Sequence, residues 1–224
     1  MDQKPTVYFI DGPNGSGKDY LIDRVVSRLE SKQPPGSIKV LRATDYVIRR
    51  EAATELRKYN AYDTENIKSL SIFSRHILLL EELLWIVKSG VKAVIVNRGI
   101  FSLLSYNLYK DADEESRKLY LDIYVKLLKE YQKYFDVIFI NLVYKRGATS
   151  EENLRTLEKN IYGRDGAEAV KDLDIPWFCR LLRNFEHSRF ELEDSGFTGS
   201  TIVIDSHDWE DVSCLIQALM EQVK

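Results

Sequence analysis

Eight residues near the start of the chain, GPNGSGKD at 12–19, constrain the fold more than any other stretch. They follow the β-branched and aromatic run TVYFI and precede YLIDRVVSRLES, in which Leu21, Ile22, Val25, Val26 and Leu29 recur at helical spacing. The order is strand, glycine loop, helix. Such a loop turns consecutive backbone N–H groups inward, sets the positive end of a helix behind them and closes on a lysine, so it suits an anion of the phosphate type. A plain strand-to-helix turn requires neither three glycines nor an adjoining lysine.

The stretch satisfies G-x-x-x-x-G-K, the P-loop or Walker A pattern, up to its last position. Gly12, Asn14, Gly15, Ser16 and Gly17 form the expected cradle, and Lys18 brings its charge to the terminal phosphates, which makes ATP with Mg²⁺ the expected cofactor. Asp19 stands where Ser or Thr usually offers Mg²⁺ a hydroxyl. Either its carboxylate approaches the metal, directly or through water, or it only suits the first turn of a helix, where the dipole favours an anion. Asp11, at the C-terminal end of the strand, lies where open α/β sheets place their ligands. It is a candidate base or metal-linked group, with a loop-ordering aspartate as the alternative.

Further strands are expected at SIKVLRA, VKAVIVN, FDVIFINLV and STIVIDS, the third and fourth of the five with both faces apolar, as in the middle of a parallel sheet. Helical segments are expected at 45–63 (basic, running into a polar loop), 67–89 (ending at Gly90), 114–134, 176–193 and 209–223. Their alternation with the strands predicts one α/β domain over 1–224, a parallel sheet of about five strands with helices on both faces. The polar, charged stretch 147–174 reads as a lid, and Arg146, Arg155 and Arg164 are candidates to close over a triphosphate.

The apolar runs are strand-sized, so neither a membrane span nor a signal peptide is expected and the chain reads as cytoplasmic. Lys and Arg number 32 against 35 Asp and Glu, a net charge of −3 that does not fit a general nucleic-acid binder. Cys179 and Cys214 have no partner at metal-ligand spacing and read as buried structural thiols.

Taken together, these features resemble the thymidylate kinase and deoxynucleoside kinase group of P-loop phosphotransferases. Thymidylate kinases open with F-E-G-x-D-G-x-G-K-T, similar to Phe9 through Asp19, with Asp11, Asn14 and Asp19 replacing Glu, Asp and Thr. Arg42 in VLRATD falls at the arginine of the family's R-E-P segment, and Asn97-Arg98-Gly99 followed by SLLSYN resembles D-R-Y followed by S-S-L-A-Y-Q. The resemblance implies a three-layer P-loop kinase fold with a lid insertion and a dimer through the long helices. It also implies a set of acceptor-side residues: Arg42, Arg98 on an acceptor phosphate, Tyr106 and Asn107 near a base, Phe73 and Arg75 against that base, and Arg164 in the lid. Arg98 has a physical argument of its own, since an arginine at the end of a central apolar strand is costly to bury without an anion. Tyr106 has ordinary packing as its alternative. His76, beside Phe73 and Arg75, reads as a packing or surface histidine, because P-loop kinases do little proton chemistry.

The resulting expectation is a kinase that moves the terminal phosphate of ATP to a nucleoside monophosphate or nucleoside, with Lys18, Asp11, Arg98 and Arg164 as its catalytic set. Two alternatives stay open: a kinase acting on a hydroxymethylated pyrimidine in DNA, and an ATP-binding module or ATPase with no acceptor.

Overall fold

The computed structural model describes residues 4–13, 15–31, 34, 36–42, 65–109, 114–144, 147–165, 170, 173–197, 199–205 and 208–222. Five strands, β1 (Thr6–Asp11), β2 (Ile38–Arg42), β3 (Ala93–Asn97), β4 (Asp136–Val143) and β5 (Ser200–Asp205), form one sheet in the order β2-β3-β1-β4-β5. Every pairing is parallel, as the doubly apolar runs predict. β1 sits centrally, with β2 and β3 to one side and β4 and β5 to the other. The order therefore reverses beside β1, and such a switch point opens a crevice at the carboxyl ends of the strands.

The period-2 alternation of β1 splits the core in two. Val7 and Phe9, with Val94, Val96, Val137 and Phe139, pack under α2 (Glu65–Lys88), α3 (Ile100–Tyr109), α4 (Glu114–Tyr131) and α6 (Ile175–Asp194). Tyr8 and Ile10, with Ile95, Ile140 and Leu142, pack under α1 (Lys18–Glu30) and α7 (Trp209–Gln222). Helices thus cover both sheet faces in three layers. The helix expected at 45–63 lies outside the described residues. The cysteines, expected as buried thiols, are not: Cys214 is exposed on α7 and Cys179 is half-buried on α6.

Two details of this packing position the site. α3 follows β3 after a two-residue turn and is clamped at its middle, where Asn184 Nδ2 on α6 donates to the Ser105 carbonyl (3.1 Å) and the buried Arg117, ion-paired with Glu191, reaches the Leu104 carbonyl. In the stretch expected as a lid, residues Ser150–Asp165 form a helix, α5, opened by a reciprocal cap: Thr149 N–H donates to Glu152 and Glu152 N–H donates to Thr149 Oγ1. Its sequence reads as polar because only Leu154, Leu157 and Ile161 turn inward, against Tyr144 and Phe178.

Candidate functional site

The glycine loop closes the way its sequence demands. Gly12 has φ 149°, and a Cβ on it would stand 2.8 Å from the Leu142 carbonyl oxygen; Gly15 has φ 75°, and its Cβ would strike Leu157 Cδ1 of α5 at 2.5 Å. Positive φ disfavours a side chain at both positions, and at Gly12 the backbone leaves no space for one. Gly17 is the N-cap of α1 and no side chain caps that end, so the first N–H groups of the helix face the loop's concavity. Asn160 Nδ2 on α5 donates to the Gly15 carbonyl (3.1 Å), which ties α5 directly to the loop. Neither Leu157 nor Asn160 is singled out by the sequence; a helical i, i+3 pair beside a glycine loop is the only signal, and it is a weak one.

Lys18 is 6% exposed and folds back over the loop, its Nζ donating to the carbonyls of Gly12 (2.7 Å) and Pro13 (2.6 Å). The ammonium is therefore held at the cradle's floor. Ser16 is buried within the loop, and Asn14 lies outside the described residues.

The two carboxylates that bracket the loop have separate fates. Asp11, expected as a base or metal ligand, is wholly buried and caps α3. Its Oδ1 accepts from Gly99 N–H (2.9 Å), Ser102 N–H (3.1 Å) and Ser102 Oγ (2.6 Å). Its Oδ2 is buried with no hydrogen-bond partner, as are Oδ1 of Asn141, its register partner on β4, and the hydroxyl of Tyr124. Burial pushes the Asp11 carboxyl above its ordinary range, against the pull of Ser102, Gly99 and Lys18. The Tyr124 hydroxyl is raised in turn, by burial first and by Asp11 second.

Asp19 is exposed in the first turn of α1, and its Oδ1 accepts from Asn97 Nδ2 at the end of β3 (2.7 Å). Among the described residues no three His, Cys, Asp or Glu side chains gather into a metal site. Mg²⁺ does not need such a cluster, since one or two carboxylates, water and phosphate oxygens satisfy it. Asp19 fits that requirement; the enclosed Asp11, with one oxygen already accepting three hydrogen bonds, does not.

At the end of β3, Arg98 is the only described non-glycine residue with positive φ (76°), and its N–H continues the ladder to the Ile10 carbonyl (3.0 Å). A left-handed arginine at a strand end is a strained position, the kind that clusters at ligand sites. Its charge reaches His76, which is 3% exposed with no partner on Nδ1; burial, then Arg98, then Arg75, lower that imidazole to about 4, so it is neutral near pH 7. His76 is thus a buried group beside two arginines rather than a surface one.

Phe73 requires a correction. It is 6% exposed and stacks on Tyr120 with ring centroids 4.5 Å apart, so it belongs to the core and offers no face to a base. The stripe that places Phe73 on the same side of α2 as Leu80 and Leu83 serves packing. Arg42, at the exposed end of β2, lines a groove with Ile22, Asp23, Val26 and Ser27 of α1. It is the register partner of Asn97 and shares the α1 face with it. Arg75 is half-buried and Arg155 is exposed on α5. The backbones of Tyr106, Asn107 and Arg164 are helical, their side chains lie outside what is described, and so does the whole of Arg146.

The overall architecture is shared with known proteins. The chain superposes on thymidylate kinase from Ehrlichia chaffeensis with a TM-score of 0.60, at 13% identity, over 99% of this chain and 100% of that one. A deoxyadenosine kinase from M. mycoides with dCMP and dCDP bound is also similar, at 16% identity and a TM-score of 0.47, over 97% and 98% of the two chains. Neither protein-family models nor curated proteins gave a match. The fold is therefore that of the thymidylate kinase-like P-loop proteins, reached with little sequence in common.

Proposed function

We propose that this chain is an ATP-dependent kinase for a nucleoside monophosphate or nucleoside, with a thymidylate-like pyrimidine preferred. The observation that carries this reading is the position of the cradle. A glycine loop with Lys18 on its floor and the open N-terminus of α1 behind it stands at the sheet's switch point, and the strained Arg98 stands at the end of the adjoining strand. A donor site and a cation for the acceptor then share one crevice.

In this mechanism the loop N–H groups and α1 bind the β- and γ-phosphates of ATP. Lys18 exchanges its two carbonyl partners for phosphate oxygens as the triphosphate enters. Mg²⁺, when bound with ATP, would neutralise charge developing on the phosphates, and Asp19 is the residue that would hold it. Arg98 orients the acceptor, with Arg42, Arg75, Tyr106 and Asn107 as further acceptor-side residues. The segment 147–174 acts as a lid: α5 already touches the loop through Leu157 and Asn160, so its movement carries Arg155 and Arg164 toward or away from the phosphates. Asp11 takes no proton; it holds α3, and through Gly99 the Arg98 turn, in place. Transfer needs little proton chemistry when the acceptor is itself a phosphate.

Incubation with ATP labelled in the γ position and a panel of nucleosides, nucleoside monophosphates and oligodeoxynucleotides tests this. Label in a pyrimidine nucleotide is the expected result. Label recovered only as inorganic phosphate, whatever acceptor is offered, would replace the kinase with an ATPase, and label in the oligonucleotide would move the acceptor to DNA.

A further inference from the structure

In a P-loop site the ion is usually met from two sides, by a neutral hydroxyl after the lysine and by an acid at the end of a neighbouring strand. Both groups are changed here, and changed reciprocally. The acid, Asp19, follows the lysine; the neutral group, Asn97, ends β3, the strand next to β1. The two residues lie 78 positions apart and meet in one hydrogen bond, Asn97 Nδ2 to Asp19 Oδ1 at 2.7 Å. Register places them on a common face: Asn97 pairs with Ile10, whose side chain packs under α1, the helix that carries Asp19.

We infer that Asp19 and Asn97 are a transposed metal-side pair, in which the carboxylate has moved across the hydrogen bond and Asn97 is the positioning residue that aims it. The inference rests on the triphosphate reading of the loop. Three observations support it. Among the described residues, Asn97 Oδ1 is buried with no hydrogen-bond partner, and the amide is oriented by its bond to Asp19. Donation to Oδ1 leaves the other oxygen of an exposed carboxylate for a cation, and single-oxygen coordination suits the octahedral demands of Mg²⁺. The charge is also kept: one acid and one neutral polar group face the loop, as in the usual arrangement, so the ion would meet the same net field from the opposite side.

The test measures Mn²⁺ affinity in the presence of ADP by electron paramagnetic resonance, with ADP affinity in EDTA measured alongside. Asp19→Asn should weaken Mn²⁺ at least tenfold with metal-free ADP binding within threefold of the wild type. Adding Asn97→Asp to it, an isosteric exchange that returns the acid to the strand, should restore Mn²⁺ affinity to within threefold. Asn97→Ala, which keeps the acid and removes its support, should weaken Mn²⁺ about tenfold, again at unchanged metal-free ADP affinity and melting temperature. A double exchange that stays as weak as Asp19→Asn overturns the transposition, and an Asn97→Ala variant whose melting temperature and ADP affinity fall together marks Asn97 as merely structural. If the exchange destabilises the fold, Asp19→Ser with Asn97→Asp reads the same rescue. Wild-type protein that binds no ADP at all removes the triphosphate reading itself, a failure distinct from ADP binding with no metal dependence on Asp19.

Discussion

Asp11 and Asp19 bracket the same loop, eight positions apart by their numbers, and the fold treats them in opposite ways. Asp11 ends a central strand on the face covered by α3 and α4, is sealed from solvent, and accepts three hydrogen bonds on one oxygen. Asp19 begins a helix on the other face, is exposed, and meets one amide. The difference teaches that closeness to a phosphate loop does not make a carboxylate chemical. A buried acid that saturates an N-terminus supports the backbone, whereas an acid in reach of solvent can meet an ion.

The comparison breaks first at the residue between them. Lys18→Ala removes the ammonium on the cradle's floor, and turnover should fall about 10³-fold, the scale of losing a preorganised charge from a phosphoryl-transfer site; steady-state rates at saturating ATP check this. Next comes Asp19→Ala. Activity at low Mg²⁺ should drop roughly 10- to 100-fold and recover partly as Mg²⁺ is raised, while stability moves by less than about 0.5 kcal/mol, because the side chain is exposed. A Mg²⁺ titration superimposable on the wild type would remove Asp19 from the metal site. Asp11→Ala should invert the pattern: unfolding by denaturant shows a loss of about 2 kcal/mol from three donors left unmet, with turnover per folded molecule within about threefold of the wild type. A large loss of turnover in a fully folded Asp11→Ala protein whose acceptor KM is unchanged, so that the Arg98 turn is intact, would make Asp11 a base after all.

How much of this was legible depends on how far apart the partners lie. The sheet could be read from its doubly apolar runs, and the glycine loop from eight contiguous residues, because glycine spacing and the lysine are local requirements. Asp11 was open to a chemical role because its partners, Gly99 and Ser102, lie 88 and 91 positions away, and nothing near Asp11 signals them. The Asp19–Asn97 bond is hidden by the same kind of separation, although the exchange of residue types at its two ends stands in the sequence. Phe73 shows a different limit: an aromatic residue on a helix's apolar stripe has the same spacing whether it faces a ligand or Tyr120. His76 read as unremarkable because burial, which makes it neutral, is a tertiary property.

The smallest expected effect is also the one that isolates Asp11 from its surroundings. Burial raises the Asp11 carboxyl in the folded state, so its contribution to stability is fully present below the ordinary carboxylate range and is lost as pH rises through the folded value. His76 acts in the opposite sense. Its folded value of about 4 lies below the ordinary 6.5, so its contribution is present above 6.5 and is lost as pH falls toward 4. The wild-type profile mixes the two, but subtracting it from that of Asp11→Asn cancels the histidine. The introduced amide keeps an acceptor for Gly99 and Ser102 and removes the cost of burying an ionised carboxylate. Asp11→Asn should therefore match the wild type near pH 4 and exceed it by about 1 kcal/mol at pH 7, the gap opening as pH rises. Denaturant unfolding at a series of pH values measures that gap, and one that closes toward neutral pH would mean that the ionised carboxylate is stabilised where it lies, by Lys18 or by its three donors, and that the contrast with Asp19 is one of exposure alone.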